Sequence, residues 1–162
     1  MRKQIINIAE VELQPRPPQL APTGRAAERY EARVGMIAPK IGAKQLGYNL
    51  TAVPPGKRAY PFHSHRVQEE MFFIIEGMGE LRIGAETFPI RAGDIIACPS
   101  GGPETAHQIV NTGSQELRYL AVSTKAAAEV CEYPDSGKIA GFAENMRFVH
   151  RADQQVGYWE GE

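Results

Sequence analysis

Short apolar segments separated by turn-forming residues dominate the chain from residue 46 onward. Strand-like segments recur about every eight to twelve residues, and no helical period lies between them. Residues 71–75 form a continuous apolar run, which is typical of a strand buried on both faces. The pattern therefore predicts an all-β domain, an antiparallel sandwich or barrel.

The other predicted strands alternate less strictly, and Gly, Pro, Asn or Asp residues end them. They cover residues 48–53, 80–83, 86–90, 95–98, 107–110 and 116–123. Gly84 and Ala85 connect two of these strands, which predicts a β-hairpin.

The two ends of the chain have weaker patterns. Residues 1–45 combine a short strand-like piece at residues 5–8, a proline-rich run that we expect to be extended and non-helical, and two helical turns over residues 25–33. We expect these residues to form an N-terminal arm that packs on a barrel of residues 46–124. We treat the whole chain as one structural domain, as its 162 residues suggest.

The C-terminal extension, residues 125–162, has no clear period. An Ala-rich stretch at residues 125–130 predicts one helical turn, and residues 133–138 predict a loop. We expect the remaining tail to be irregular and to wrap the barrel.

The formal net charge is −1, which argues against a nucleic-acid or membrane surface as partner. The charge is uneven, since residues 1–58 carry ten Lys/Arg and four Asp/Glu, and the rest carries eight and fifteen. We favour a basic arm packed along a more acidic barrel. In the alternative, Lys57 and Arg58 attract an anionic substrate.

Two cysteines, Cys98 and Cys131, are too few for a disulfide framework. Cys98 precedes Pro99 on a predicted buried strand, so we interpret it as a small apolar core residue. No signal-like or membrane-spanning segment is evident, and a cytoplasmic location is the expectation.

Three histidines and a carboxylate are the candidate chemistry. His63 and His65 are two residues apart, so an extended strand points both imidazoles to one face. A carboxylate follows at Glu69 or Glu70, and His107 comes after a later strand. Such a donor set suits a divalent transition metal such as Zn, Mn, Fe or Ni.

The apolar pattern does not choose between Glu69 and Glu70. If Glu70 points inward, so do Phe72 and Ile74, and if Glu69 does, the other apolar residues of the run point inward. His150 stands alone in the tail, and we interpret it as a structural residue.

Two stretches resemble the motifs of the cupin superfamily. Gly56, His63, His65, Glu70 and Gly77 match the first motif with one extra residue before His63, and the second is matched by Gly93, Pro99, Gly101, His107 and Asn111. Five residues, where the motif has two, separate Gly101 from His107.

The resemblance implies a double-stranded β-helix, or jelly-roll barrel. It selects Glu70 as the carboxylate and implies metal ligation by His63, His65, Glu70 and His107. The sequence around the two motifs is similar to that of single-domain bacterial cupins of undefined activity, some of which are labelled sugar-phosphate isomerases by analogy.

The fold hosts many activities, so two functions remain open. One is a metal-dependent isomerase, epimerase, decarboxylase or dioxygenase acting on a small carbohydrate or organic acid. The other is a non-catalytic module that binds or senses a small molecule. The sequence assigns no catalytic residue, although Tyr48, Arg58, Tyr60, Phe62, Phe72 and Gln108 are candidates for the pocket or its rim.

A small-molecule ligand and a homodimer are the expected partners. The dimer is expected because the apolar run at residues 71–75 and the proline-rich arm both offer surface to a second sheet.

Overall fold

Strands make up most of the regular structure in the computed structural model, which describes residues 4–162. The strands of these residues are β1 (Gln14–Pro15), β2 (Arg33–Met36), β3 (Leu46–Val53), β4 (Ser64–His65), β5 (Glu70–Glu76), β6 (Met78–Ile83), β7 (Glu86–Arg91), β8 (Ile95–Cys98), β9 (His107–Val110), β10 (Leu117–Thr124), β11 (Ala128–Tyr133), β12 (Lys138–Ala143) and β13 (Met146–Arg151). The helices are α1 (Arg25–Arg29), α2 (Ala38–Ile41) and short 3-10 helices at Ile8–Glu10, Pro18–Leu20 and Pro103–Thr105. Within residues 4–162, no helix has the length and apolar character needed to span a membrane.

All strand pairs in the described part of the chain are antiparallel and build three sheets. The strand orders are β1-β2-β3-β10-β5-β8, β7-β6-β9 and β13-β12-β11-β4. Strands distant in sequence are neighbours, for example β3 beside β10 and β6 beside β9, as in a jelly roll. The all-β barrel predicted from the sequence is confirmed.

The barrel core is formed by alternate residues of the central strands. On β5, Phe72 and Ile74 are buried in it, and Tyr119 of β10 packs edge-on against Phe72. The opposite face of β5 is only partly covered: Ile75 packs against a second apolar cluster, but Phe73 is 37% exposed. Burial on both faces was therefore predicted correctly for only part of this run.

A second apolar cluster fastens the N-terminal arm to the outside of the barrel. Val11 and Ile37 of the arm pack with Leu50 of β3. The arm differs from its predicted secondary structure, because the expected strand at residues 5–8 has no strand pairing and Pro18–Leu20 is a 3-10 helix. α1 has only five residues, because the chain leaves the helical conformation at Tyr30 before β2 begins. Residues 1–3 of the arm lie outside the described residues.

The C-terminal extension is more regular than the sequence suggested. Residues 128–151 form three strands, and β11 pairs with both β12 and β4. The helical turn expected at residues 125–130 was wrong. Glu129 occupies a buried position of β11, so the strand lacks the alternation of apolar and polar residues that marks a half-buried strand.

Gly77 shows why a tight connection after β5 requires glycine. Its φ of 85° lies in the left-handed region, and a Cβ there would approach the Glu116 carbonyl oxygen to 2.7 Å. The turn packs closely against Glu116 and Leu117, where β10 begins. Asn111 supports the same end of the barrel from the interior, where its amide nitrogen donates to the carbonyls of Val53 and Gln115.

Candidate metal centre

Four segments bring the predicted donors to one end of the barrel. His65 lies on β4, Glu70 begins β5 and His107 begins β9. His63 is paired with His107 in an isolated antiparallel bridge, with backbone N···O distances of 3.2 and 2.8 Å in the two directions. This bridge places the two imidazoles side by side, with ring centres 4.8 Å apart.

The three imidazoles surround one oxygen of Glu70. Glu70 Oε2 lies 2.9 Å from His107 Nε2, 3.4 Å from His65 Nε2 and 3.9 Å from His63 Nε2. Among the described residues, His63, Glu70 and His107 form a group whose donor atoms all lie within 4.8 Å of one another. His65 is adjacent to this group but is not part of it.

The second nitrogen of each imidazole faces an acceptor that orients the ring. Nδ1 of His63 lies 2.9 Å from the Pro61 carbonyl oxygen, and Nδ1 of His107 lies 3.4 Å from that of Thr105. Nδ1 of His65 lies 3.5 Å from a carboxylate oxygen of Glu129 and 3.3 Å from Cys131 Sγ. Because Nδ1 faces an acceptor in each ring, a neutral imidazole with its proton on Nδ1 would offer the Nε2 lone pair to a metal ion at the cluster.

The donors fit a divalent metal ion in chemistry and in burial. Three imidazole nitrogens with one carboxylate are ligands that zinc, iron, nickel and manganese accept. His65 Nε2 is buried and has no hydrogen-bond partner within residues 4–162. A buried polar atom without a partner is costly, and coordination would satisfy it.

The electrostatics of the cluster differ from one residue to the next. Burial and the neighbouring His107 lower the pKa of His63 to about 4. Burial opposes the charge on His65, but Cys131 and Glu70 outweigh it and raise its pKa to about 10. Burial alone would raise the pKa of Glu70, but His107 and His65 hold it well below its usual range. Glu70 is therefore an ionised carboxylate at neutral pH.

The structure distinguishes the two candidate glutamates. Glu70 points into the cluster together with Phe72 and Ile74 on the same face of β5. Glu69 is exposed, and its backbone pairs with Thr124. The position chosen from the resemblance is thus the one that meets the histidines.

The long loop before His107 still delivers this residue to the cluster. A 3-10 helix at Pro103–Thr105 takes up the extra residues. The Glu104 carboxylate accepts from the Gly102 N–H at 2.8 Å, and the Thr105 hydroxyl donates to the Gly102 carbonyl at 2.9 Å. These bonds stabilise the insertion locally, so β9 can begin in register with His63.

Glu129 is a buried carboxylate that the sequence reasoning missed. Its two oxygens accept from four backbone N–H groups at 2.6–3.1 Å, those of Arg66, Val67, Gln68 and Val130. It therefore fixes the loop between His65 and Glu70 while also facing the His65 ring. The sequence held no signal for this role, because an isolated glutamate in a weakly patterned extension resembles a surface residue.

Tyr133 and Lys138, also from the C-terminal extension, add ionisable groups beside the cluster. The Tyr133 ring stacks on His63 with centres 6.0 Å apart, and burial raises its pKa. The Lys138 ammonium lies 5.5 Å from the centre of the Tyr133 ring. Neither residue was a sequence-based candidate.

The interior of the barrel beside the cluster is almost filled. A cavity of about 20 Å³ there is lined by side chains that include Tyr60, Phe72 and Gln108. That volume accommodates a particle the size of one water molecule. A much larger cleft, about 470 Å³, adjoins it and shares Tyr60 and Pro61 as lining residues. Its size is typical of small-molecule sites.

The segment between cleft and cluster is held through three consecutive carbonyl groups. The Ala59 carbonyl accepts from Arg16 at 2.7 Å, the Tyr60 carbonyl from Gln108 at 2.7 Å, and the Pro61 carbonyl from His63 at 2.9 Å. Tyr60, Phe62 and Arg58 line the cleft, as the list of rim candidates anticipated. Tyr48 instead packs against the second apolar cluster.

Two further residues lie apart from the donor cluster. Cys98 is buried in the barrel core as expected, and burial raises its pKa to about 12. His150 is exposed on β13 and stacks on Phe148.

A family model described as a cupin domain matches residues 49–123 of this chain. Among curated proteins, the oxalate-binding protein of Thermotoga maritima is 36% identical over 70 residues, which cover 43% of this chain and 54% of that protein. The chain spans about half the length of the first curated relatives it matches.

Two solved structures match over nearly the whole chain. A protein from Acidithiobacillus ferrooxidans that carries the provisional name sugar phosphate isomerase has a TM-score of 0.82 at 22% identity, over 96% of this chain and 97% of that one. A sugar phosphate isomerase of the cupin superfamily from Silicibacter pomeroyi has a TM-score of 0.79 at 25% identity, over 93% and 94% of the two chains. Both similarities extend well beyond residues 49–123, into the arm and the C-terminal extension.

Proposed function

Because the chain belongs to the cupin superfamily, we propose that it binds one divalent transition metal ion and takes a small polar molecule into the adjoining cleft. The main support for this proposal is that three imidazole Nε2 atoms converge on one oxygen of Glu70, while each Nδ1 faces an acceptor.

The residues that would hold the ion are His63, His65, Glu70 and His107. Zinc, manganese, iron and nickel all accept this donor set. Bound there, such an ion would polarise a substrate oxygen as a Lewis acid. Acid should weaken its binding, because protons compete for the imidazole nitrogens.

We favour a metal-dependent enzyme acting on a small carbohydrate or organic acid, as an isomerase or epimerase, a decarboxylase or a dioxygenase. An enzyme needs an ionisable group beyond the metal ligands to hold or move a proton. Tyr133 and Lys138 supply two such groups, since Tyr133 stacks on His63 and Lys138 lines the cleft beside the Tyr133 ring. The cavity inside the barrel is too small for a substrate, so a substrate would approach the cluster from the larger cleft.

The alternative is a non-catalytic binding or sensing module on the same fold. The similarity to the oxalate-binding protein of Thermotoga maritima favours it. The variant Tyr133→Phe distinguishes the two functions. If the Tyr133 hydroxyl acts as a catalytic acid or base, the variant loses turnover but keeps its affinity for the ligand. A non-catalytic binding module shows no turnover in either form.

Metal content tests the proposal directly. Elemental analysis of the purified protein, before and after dialysis against a chelator and re-addition of each metal, should give one equivalent for the wild type. His107→Ala should lose it, and His150→Ala is the matched control, since His150 is exposed on β13 and does not belong to the donor group. A His107→Ala variant that retains a full equivalent would contradict the metal site.

We also propose a homodimer, for which apolar residues on the outer face of the largest sheet provide support. Phe73 and Ile95 are register partners on β5 and β8, and they are 37% and 73% exposed. Light scattering at micromolar concentration should give twice the monomer mass, and a monomer would contradict the dimer.

A further inference from the structure

We propose that the cleft beside the metal centre binds the phosphate group of a phosphorylated small molecule, whose polar body then reaches toward the donor cluster. The inference rests on the proposed function for the position of that body and extends it by naming the substrate class. Three parts of the chain build the cleft: the N-terminal arm with α1, residues 58–62, and the turn between β11 and β12.

Positive charge dominates the lining of this cleft. Arg16, Arg29, Arg58 and Lys138 all contribute to its walls, and none of them has a carboxylate within 4.0 Å among residues 4–162. Cations that converge on a concave surface without acidic partners create a strong local positive potential. A ligand group with two negative charges, such as phosphate, would be electrostatically complementary to these cationic side chains.

Among the described residues that line the cleft, the single acidic one, Asp135, is paired with a cation. Both oxygens of Asp135 accept from the Arg82 guanidinium, at 3.0 and 2.9 Å. Arg82 in turn stacks on Phe62, with its guanidinium carbon 3.6 Å from the ring centre. Asp135 therefore subtracts little from the cationic character of the cleft.

The arginines are oriented by aromatic rings and not by ion pairs. The Arg16 guanidinium lies 4.5 Å from the centre of the Tyr60 ring and donates to the Ala59 carbonyl. Arg58 lies 5.9 Å from the Tyr30 ring centre, and its Nε is buried without a hydrogen-bond partner in the described chain. Guanidinium groups held this way present planar donor forks that match phosphate oxygens.

Tyr60 connects the cleft to the metal centre. Its ring lies 4.5 Å from the Arg16 guanidinium carbon and 6.4 Å between ring centres from His63. Tyr60 also lines the small cavity that His63 and His107 border. A phosphate held by Arg16 and Arg58 would thus place the rest of a short molecule beside the imidazoles.

Lys57 provides an internal contrast to its neighbour Arg58. The Lys57 ammonium donates to the carbonyls of Ala27 and Glu28 and so fastens the end of α1, outside the cleft. Of the two cations that the sequence singled out, only Arg58 faces the proposed ligand. These two neighbouring cations therefore have separate roles.

Calorimetric titration of the full-length protein tests the inference. The probes are inorganic phosphate, glucose 6-phosphate, glucose and succinate, at low ionic strength because salt screens exposed charges. We expect the two phosphates to bind and glucose and succinate to bind at least tenfold more weakly. Arg58→Gln and Lys138→Gln should each weaken phosphate binding about tenfold, since a charge-assisted hydrogen bond is lost.

Arg151→Gln is the matched control, because Arg151 is exposed on β13 and does not line the cleft. Its phosphate affinity should equal that of the wild type. Circular dichroism of each variant confirms folding, and Lys138 provides a second position if Arg58→Gln does not fold. Unchanged phosphate affinity in folded cleft variants, or tighter binding of succinate than of phosphate, would overturn the inference.

A His107→Ala variant separates this inference from the metal site. Phosphate affinity that survives in His107→Ala while metal is lost supports binding in the cleft. If phosphate affinity is lost together with the metal, phosphate binds to the metal ion itself and the proposed phosphate site in the cleft is refuted. A wild type that binds phosphate but no metal would refute the proposed function and leave the phosphate site standing.

Discussion

The barrel and the chain ends contribute different parts of the same site. The barrel, within the region matched by the family model, supplies every predicted metal donor, from His63 to His107. The ends supply Glu129 behind His65, Tyr133 beside His63, and most of the cationic cleft. The donors can be recognised from motif spacing, whereas their orientation and the ligand's surroundings depend on segments without a motif.

This division predicts where substitutions act. Changes to donors should remove the metal altogether, while changes in the ends should alter its affinity or the affinity for ligand. Four experiments follow, from the largest expected effect to the smallest.

His63→Ala should abolish stoichiometric metal and leave a folded barrel. The substitution removes one of three mutually converging donors, and the backbone bridge between His63 and His107 does not depend on the side chain. Elemental analysis with a circular dichroism spectrum measures both outcomes. A full metal equivalent bound by the variant would contradict the assignment of His63 as a metal ligand.

Ile74→Ala should lower the free energy of unfolding by about 2–5 kcal/mol, because Ile74 is fully buried in the barrel core. Val149→Ala on exposed β13 should change it by less than about 0.5 kcal/mol. Urea unfolding of both variants gives the two values. Equal losses would mean that β13 is covered in solution and that the ends are as tightly packed as the barrel.

Glu129→Gln should weaken metal binding about 10- to 100-fold without abolishing it, because the carboxylate that faces His65 Nδ1 loses its charge. Competition with a chromophoric chelator measures the affinity. Glu144→Gln is the control, since Glu144 is exposed beside β13. An unchanged affinity in Glu129→Gln would restrict Glu129 to holding the loop at residues 66–68.

Cys98 should resist alkylation in the folded protein at pH 8. Burial raises its pKa to about 12, so only a small fraction is thiolate until the pH approaches that value. Mass spectrometry after iodoacetamide treatment, with and without urea, locates the modified residue. Rapid modification of Cys98 in the native protein would show that the barrel opens near the metal centre.

The elements with strong patterns were predictable, and the reason is physical. Alternating or continuous apolar residues mark β5, β6 and β10 because side chains that face the core, such as Ile74, Leu81 and Leu117, are apolar. β11 escaped prediction because its buried positions are occupied by Glu129 and Cys131, which serve His65 and not the core. Hydrophobic patterning cannot identify a strand whose interior face is polar.

The donors were predictable for a different reason than their neighbours. The spacing of His63 and His65 predicted that both imidazoles lie on one face of a strand, whereas Glu70 was chosen over Glu69 only from the resemblance to the cupin motif. The cleft depends on long-range contacts, such as that between Arg16 and Ala59, which are 43 residues apart in sequence. No local signal encodes such a contact.

The three bonded carbonyls of residues 59–61 have a mechanical consequence. Residues 59–61 link two parts of the site, because Arg16 of the arm donates to the first carbonyl and the His63 imidazole donates to the last. We expect a movement of Arg16 toward a bound molecule to be transmitted through residues 59–61 to the His63 imidazole. Thermodynamic reciprocity then requires that filling the cleft and filling the cation site alter each other's affinity by the same factor.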